Sequence, residues 1–469
     1  MSPNQTTIAN RSNTVAHAFD FGVVGDGETD DTEALQHALR AGDGILRLHK
    51  GVFRVSKPLV IELQKTGFAA VLGDGGASRI VMAGPGPAIK IVGTHEGTAF
   101  PQSVNETVWS KERLPTVGGL EIVGEHPDAV GIELLRTMQP TITQVLIRRC
   151  KHALHLPERN RNVLIANCHL YENREYGVFF DRCNLHQINI EGCHISYCGR
   201  AGIMMLGGDV HNLQITGNDI EYNNRPGVDT PEEGGAEIFF DARDGLISEV
   251  TIASNTIQAT VEPGGANVRI WGGAETRTRG ACLIALTGNM LGSQTRGLDL
   301  RGVFRMTIAG NTLYGNSEYT VFAQKCTGLS VTGNTVSWRA HSDDPRDGFL
   351  FDECDLVNVT GLVAERMCSG SAESGAAMMF HRCRDVLVAN CQIADSLYAG
   401  IELTDCRRVQ VDGNQIVDRK SPATMRHALR LSGTNRDILV RHNVWGHAVA
   451  DPISGNPSGV TLVDNREWE

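Results

Sequence analysis

No run of apolar residues in this sequence is long enough to cross a bilayer, so no membrane-spanning helix is expected. Basic residues are not in excess either. Lys and Arg number 43 against 54 Asp and Glu, giving a net charge of −11, and the basic stripe that a nucleic-acid partner demands is missing. The first residues, MSPNQTTIANRSNTVAHAF, contain no apolar signal-peptide core. The phosphate-loop pattern, a Gly-rich stretch closing on Gly-Lys-Ser/Thr, is absent. No CxxC pair with a matching His cluster occurs, so neither a metal site nor a cofactor is expected. Aromatic residues are only 6%, and helix-length apolar periods are few.

Glycine, in contrast, is abundant, with 52 residues, which points to short strands and many turns. It is prominent in DFGVVGDGETDDTEALQHAL, Asp20 to Leu39. Here Gly22, Gly25 and Gly27 reach backbone conformations costly for other residues. Asp30 or Asp31 is placed to cap a helix, and Glu33 lies at capping-box distance from Asp30. Ala34, Leu35, Ala38 and Leu39 then recur at helical spacing. The carboxylates do not follow a calcium-loop template, so the segment reads as structural.

The middle of the chain repeats one pattern. GVFFDRCNLHQINIEGCHI begins at Gly177, GIMMLGGDVHNLQITGNDI at Gly202, and GIELTDCRRVQVDGNQI at Gly400. Less regular copies begin near Gly131, Ala153, Glu237, Val268, Gly297, Thr320 and Ala428. A period of roughly 22 to 32 residues, too short for crossover helices, predicts an all-β solenoid. Its form is a single-stranded right-handed parallel β-helix of about 12 coils, with neighbouring rungs about 4.8 Å apart. Residues 1–45 are expected to form an N-terminal segment with a helix over Asp31–Ala41 capping the open end, and residues 46–469 the β-helix.

The cysteines fall into this register. Cys183, Cys326, Cys354, Cys383 and Cys406 form one column. Cys150, Cys168, Cys193 and Cys391 form a second, where other coils place Asn218, Asn255, Asn289, Asn311, Asn334, Asn414 and Asn443. Buried reduced thiols and an internal asparagine ladder are expected. Reduced thiols without a signal peptide predict a cytoplasmic protein.

The stretch DFGxxGDGxTDDTxA, with the repeat behind it, closely resembles the pectate-lyase-like superfamily. That superfamily shares the right-handed parallel β-helix and includes polygalacturonase-type glycoside hydrolases, polysaccharide lyases, epimerases and phage tailspikes. The resemblance implies action on an oligosaccharide or polysaccharide. The Asn-Thr-Asp and Gly-His-Gly motifs of the polygalacturonase-type enzymes are absent, so the candidate site is read from this chain's own residues.

Alternation along the strands sends Val178, Phe180, Ile238, Phe240, Leu298, Leu300, Phe349 and Phe351 inward. One outward column then reads Asp181, Leu206, Asp241, Trp271, Arg301, Gln324, Asp352, His381, Thr404. The next reads Phe179, Met204, Phe239, Arg269, Asp299, Phe322, Leu350, Met379, Glu402. Glycoside hydrolysis needs two carboxylic groups. Asp241 and Asp299 lie two coils apart, about 10 Å by rung spacing, with Asp244 and Glu237 close by. These four are the candidate catalytic residues. Arg269, Trp271, Arg301, Glu275, Asp352 and His381 are the candidate substrate-binding residues, walled by the segments 223–237, 260–267 and 337–348.

The leading reading is a glycoside hydrolase. A lyase or epimerase acting on uronic acids, with Arg301, Lys325 or His381 as base, is the alternative. A non-catalytic glycan-binding solenoid is the third. Outward apolar residues, Leu135, Phe179, Met204, Leu206, Phe239, Phe322, Leu350 and Met379, should be covered either by the loops or by another subunit, the latter in a homotrimer.

Overall fold

A computed structural model describes residues 18–97, 100–225, 234–273, 280–337, 348–367 and 369–468. The chain winds into a right-handed parallel β-helix of about 16 turns. Each full coil adds one strand to each of three parallel sheets. Thus Arg296–Arg301, Val303–Ala309 and Thr312–Tyr314 of one coil pair with Tyr319–Gln324, Thr327–Thr332 and Thr335–Ser337 of the next. The expected 12 coils fall short because the N-terminal turns lack the Gly-Asn signature. Strands such as Ile45–Leu48 and Ala70–Gly73 nevertheless pair as rungs of the same stack.

The register read from the repeats holds in space. On the first sheet Asp181, Leu206, Asp241, Trp271 and Arg301 are successive partners, as are Phe179, Met204, Phe239, Arg269 and Asp299. All eight residues assigned inward have no exposed surface. They join one apolar core that runs from Ala18 to Trp445. Each fully buried side chain of this size contributes roughly 1.5–3 kcal/mol, and Phe351 and Phe380 stack between rungs at 4.9 Å.

The Gly-Asn pairs mark the bend from second to third sheet. Gly288, Gly310 and Gly333 have φ of 63°, 62° and 59°. A Cβ there would meet nothing within 4 Å, so glycine serves the left-handed backbone and not a lack of room. The following asparagines form the expected ladder. The backbone N–H groups of Asn255, Asn289 and Asn311 donate to the side-chain oxygens of Asn289, Asn311 and Asn334 at 2.9–3.0 Å. Cys168 and Cys193 continue this column, with the Cys193 N–H donating to Asn218. Cys150 does not. It stands at the third bend, bonded to Asn173, in line with Cys198 and Asn223. The irregular length of the early coils hid that difference. The eleven described cysteines are free, and burial pushes the thiols of Cys150, Cys183 and Cys198 up to about 12.

The N-terminal helix, α1, spans Thr32–Ala41 and buries Leu35, Ala38 and Leu39 against the first coils. Asp31 does not cap it by a side-chain bond. Its carboxylate instead accepts from the N–H groups of Val24 and Gly25, while Asp30 accepts from Thr32. Asp26 likewise holds its own turn, through Glu28 and Thr29. Asp26, Asp30 and Asp31 are therefore occupied by local N–H and hydroxyl donors. Gln36 exchanges two bonds with the main chain of Val60, at 2.8 and 3.0 Å, as a neighbouring strand would. This satisfies part of the exposed edge of the first rung. Among the described residues no helix is long and apolar enough to cross a membrane.

Of the apolar residues expected to need a cover, Phe179, Met204, Phe239, Leu350 and Met379 are buried within the one chain. They pack in two clusters on the first sheet, one with Trp271 and Tyr176, the other with Tyr319 and Phe322. Leu135, Leu206 and Phe322 stay half-buried, so most but not all of this apolar surface is covered from within the chain.

Candidate active site

The residues singled out around Trp271 do come together, but mostly as a closed structure. Trp271 lies edge-on to Phe239, with ring centroids at 5.1 Å. The guanidinium groups of Arg301, Arg243 and Arg269 lie 4.5, 4.7 and 5.1 Å from its ring. Arg269 and Asp299 are sealed from solvent and joined at 3.0 Å. Arg269 also donates to the carbonyls of Gly234 and Gly264, tying two loop ends to the sheet. Asp299 is further neutralised by Arg301 at 3.2 Å and Arg296 at 3.5 Å. A carboxylate ringed by three arginines and closed to water has no access to a substrate as the site stands.

The other predicted catalytic groups diverge. Asp241 accepts both arms of Arg243, at 2.9 and 2.6 Å. Asp244 is exposed further along the same strand, Ala236–Ala253. Glu237 points into the helix interior and takes a bond from Asn223 at 2.6 Å, and burial pushes its carboxyl well above the ordinary range. Glu275, with Arg277 and Arg279, lies outside the described residues, as do 226–233 and 338–347 of the expected loops.

Asp352 and His381, expected as a pair, turn to different partners. Asp352 accepts from Gln324 at 3.0 Å and from Arg382. His381 faces Glu402 at 3.4 Å. Burial would raise Glu402, but His381, Ser374 and Arg430 outweigh it and hold the carboxyl at about 2. The hairpin formed by Ser369–Gly370 and Gly375–Ala376 supplies two further donors, Ser374 Oγ and the Gly375 N–H.

Four rungs N-terminal to Arg269, the same sheet presents a set that sequence reasoning missed. Lys90, Glu133, His155 and Phe179 are successive outward residues of one column, and Asp181 stands in the next. Glu133 Oε2 is 3.0 Å from His155 Nδ1, and Asp181 Oδ2 is 3.3 Å from Nε2. Lys90 Nζ is 2.8 Å from Glu133 Oε1. The bond from His155, with Lys90 behind it, holds Glu133 at about 2 despite partial burial. Phe179 stacks on the His155 ring at 5.5 Å. Beside it, burial holds His152 neutral, down to about 3, and raises the phenol of Tyr176, which Arg200 draws partly back. Unlike Asp299, these groups reach solvent: the side chains of Lys90, His155 and Asp181 are 32, 17 and 36% exposed. An imidazole oriented by an ionised carboxylate on one nitrogen, with the other turned toward a second acid, is equipped to take up and release a proton. The signal was present in GIELL and ALHLP, whose coils are the less regular ones at Gly131 and Ala153.

The chain belongs to the right-handed β-helix region family, whose model matches residues 126–274 and 238–466. No curated protein matches it. Among solved structures it is similar to the A-module of the mannuronan C-5 epimerase AlgE4 of Azotobacter vinelandii, at 15% identity and TM-score 0.46, covering 95% of this chain and 99% of that one. It is similar also to the tailspike protein gp49 of Pseudomonas phage LKA1, at 13% identity and TM-score 0.48, covering 96% and 82%. A third is ORF18 of Geobacillus virus E2, at 13% identity and TM-score 0.44. That match covers 72% of this chain and spans 59% of the viral protein.

Proposed function

We propose that this β-helix is a carbohydrate-active enzyme that moves a proton on an acidic sugar, as a uronic-acid lyase or epimerase does, with His155 as the base. The observation that carries the reading is His155 held between Glu133 and Asp181 on the open part of the first sheet. Abstraction of a proton beside a carboxylate needs a positioned base within reach of that proton and cations for the substrate's charge. Lys90 and Arg200 are the nearby cations.

Glycoside hydrolysis is the second reading, favoured by Asp241 lying beside exposed Asp244. It requires a carboxylic acid that carries a proton at working pH and faces the substrate. Among the described residues the carboxyl pushed well up is that of Glu237, and it faces inward.

A panel of neutral and acidic oligosaccharides tests the two. Absorbance from a new conjugated double bond, or solvent deuterium gained without chain cleavage, is expected, and His155→Ala should abolish it. Cleavage of a neutral glycan that survives His155→Ala but not Asp241→Asn would replace this reading with hydrolysis. Saturable binding with no turnover on any substrate would leave a glycan-binding solenoid.

A further inference from the structure

We infer that His186, Asp209 and His211, on the outer face of the second sheet, bind one divalent transition-metal ion of the zinc class. Asp209 and His211 are two residues apart on one strand and so share a face. His186 is the register partner of His211 on the preceding rung, and their rings lie parallel at 4.7 Å. One ligand atom from each of the three residues lies within 4.8 Å of the others, and all three side chains are half-buried. Two imidazole nitrogens and one carboxylate oxygen suit zinc, and three protein ligands leave a fourth tetrahedral position for water.

The partners that orient metal ligands are already in place. His211 Nδ1 lies 2.6 Å from Ser248 Oγ, which fixes the ring and turns Nε2 toward Asp209 Oδ1 at 2.7 Å. The other Asp209 oxygen accepts from Asn184 at 2.9 Å, and Asn184 is in turn held by Arg159 at 3.0 Å. Carboxylate and hydroxyl supports of this kind set ligand tautomer and direction. The ion would replace the proton between His211 and Asp209, and the His186 ring would rotate inward to bring its nitrogen to about 2.1 Å from the metal. The opposing charges near His186 are Arg161, its register partner on the preceding rung, which donates to the carbonyl of Phe100, and Arg159 on the same strand as Arg161. Asp209 and Glu249, the latter 3.9 Å from His211, offset them.

Metal-stripped protein titrated with Zn²⁺ against a chromophoric chelator tests the site. One tight equivalent is expected. His186→Ala, His211→Ala and Asp209→Asn should each weaken it at least tenfold. His194→Ala should not, although the His194 ring lies 5.1 Å from that of His169, tilted to it, and 3.7 Å from Asp219. Co²⁺ in place of zinc should give visible absorption that the same three variants lose. Asp209→Asn, which preserves shape, decides the matter if either alanine variant misfolds. Absence of a tight equivalent in the parent, or equal binding in Asp209→Asn, would overturn the assignment.

Discussion

Arg269 and Asp299 occupy adjacent rungs of the first sheet, in contact at 3.0 Å, with side chains 1% and 0% exposed. Breaking such a pair leaves one charge buried alone, whereas removing both is far less damaging. Asp299→Ala is therefore expected to cost about 3–5 kcal/mol and to lower the unfolding midpoint sharply. The double variant Arg269→Met/Asp299→Leu should recover part of the loss, the rest staying with the Gly234 and Gly264 carbonyls that lose their donor. Thermal unfolding of the two proteins checks this. A well-folded Asp299→Ala that has lost only turnover would restore Asp299 to catalysis.

His155→Ala should leave the fold intact, because the ring lies on the outer face, and reduce turnover by about 10²–10⁴-fold, the usual worth of a general base. Glu133→Gln should act in the same direction more weakly, by loosening the ring. Steady-state kinetics together with far-UV circular dichroism separate loss of chemistry from loss of structure.

Acid should destabilise the protein in two stages. His152 is held at about 3 in the folded chain and sits near 6.5 unfolded, so the unfolded state takes up its proton first and stability falls as pH drops below about 6.5. Glu402 is depressed to about 2, so its contribution is complete above about 4.5 and is lost as pH falls toward 2. That second loss is about 3 kcal/mol. Denaturant midpoints between pH 7 and 3 should fall less steeply in Glu402→Gln below pH 4.5, and less steeply in His152→Phe across the window from about 6.5 to 3.

The asparagine ladder should be sensitive along its length. Asn289 donates to the carbonyl of Ile252 and to Asn311, and accepts from Asn255. Asn289→Leu strands the Asn255 N–H and the Ile252 carbonyl, each at about 1–3 kcal/mol. Differential scanning calorimetry should show a lowered transition, smaller for Asn465→Leu at the partly exposed C-terminal end.

The solenoid, its inward residues, its capping helix and the register of its regular coils were legible in the sequence, whereas the coil count and the place of Cys150 were not. Period-2 alternation repeated at a nearly constant interval leaves few arrangements that bury every apolar column at once. The outward columns were legible as lists for the same reason: Trp271 stands beside Asp241 and Arg301 in space as it does in the alignment of repeats. Which outward residues meet solvent was decided by tertiary structure alone. Alternation gives a side chain's direction and not its cover, so Arg269 and Asp299 looked open until the loop ends at Gly234 and Gly264 closed over them. His381 chose Glu402 over Asp352 because a hairpin and Arg430 had already fixed that carboxylate. Lys90, Glu133 and His155 come from three coils separated by 43 and 22 residues. Their meeting depends on loop lengths that no local pattern records, and only the stacked rungs bring them to hydrogen-bond distance.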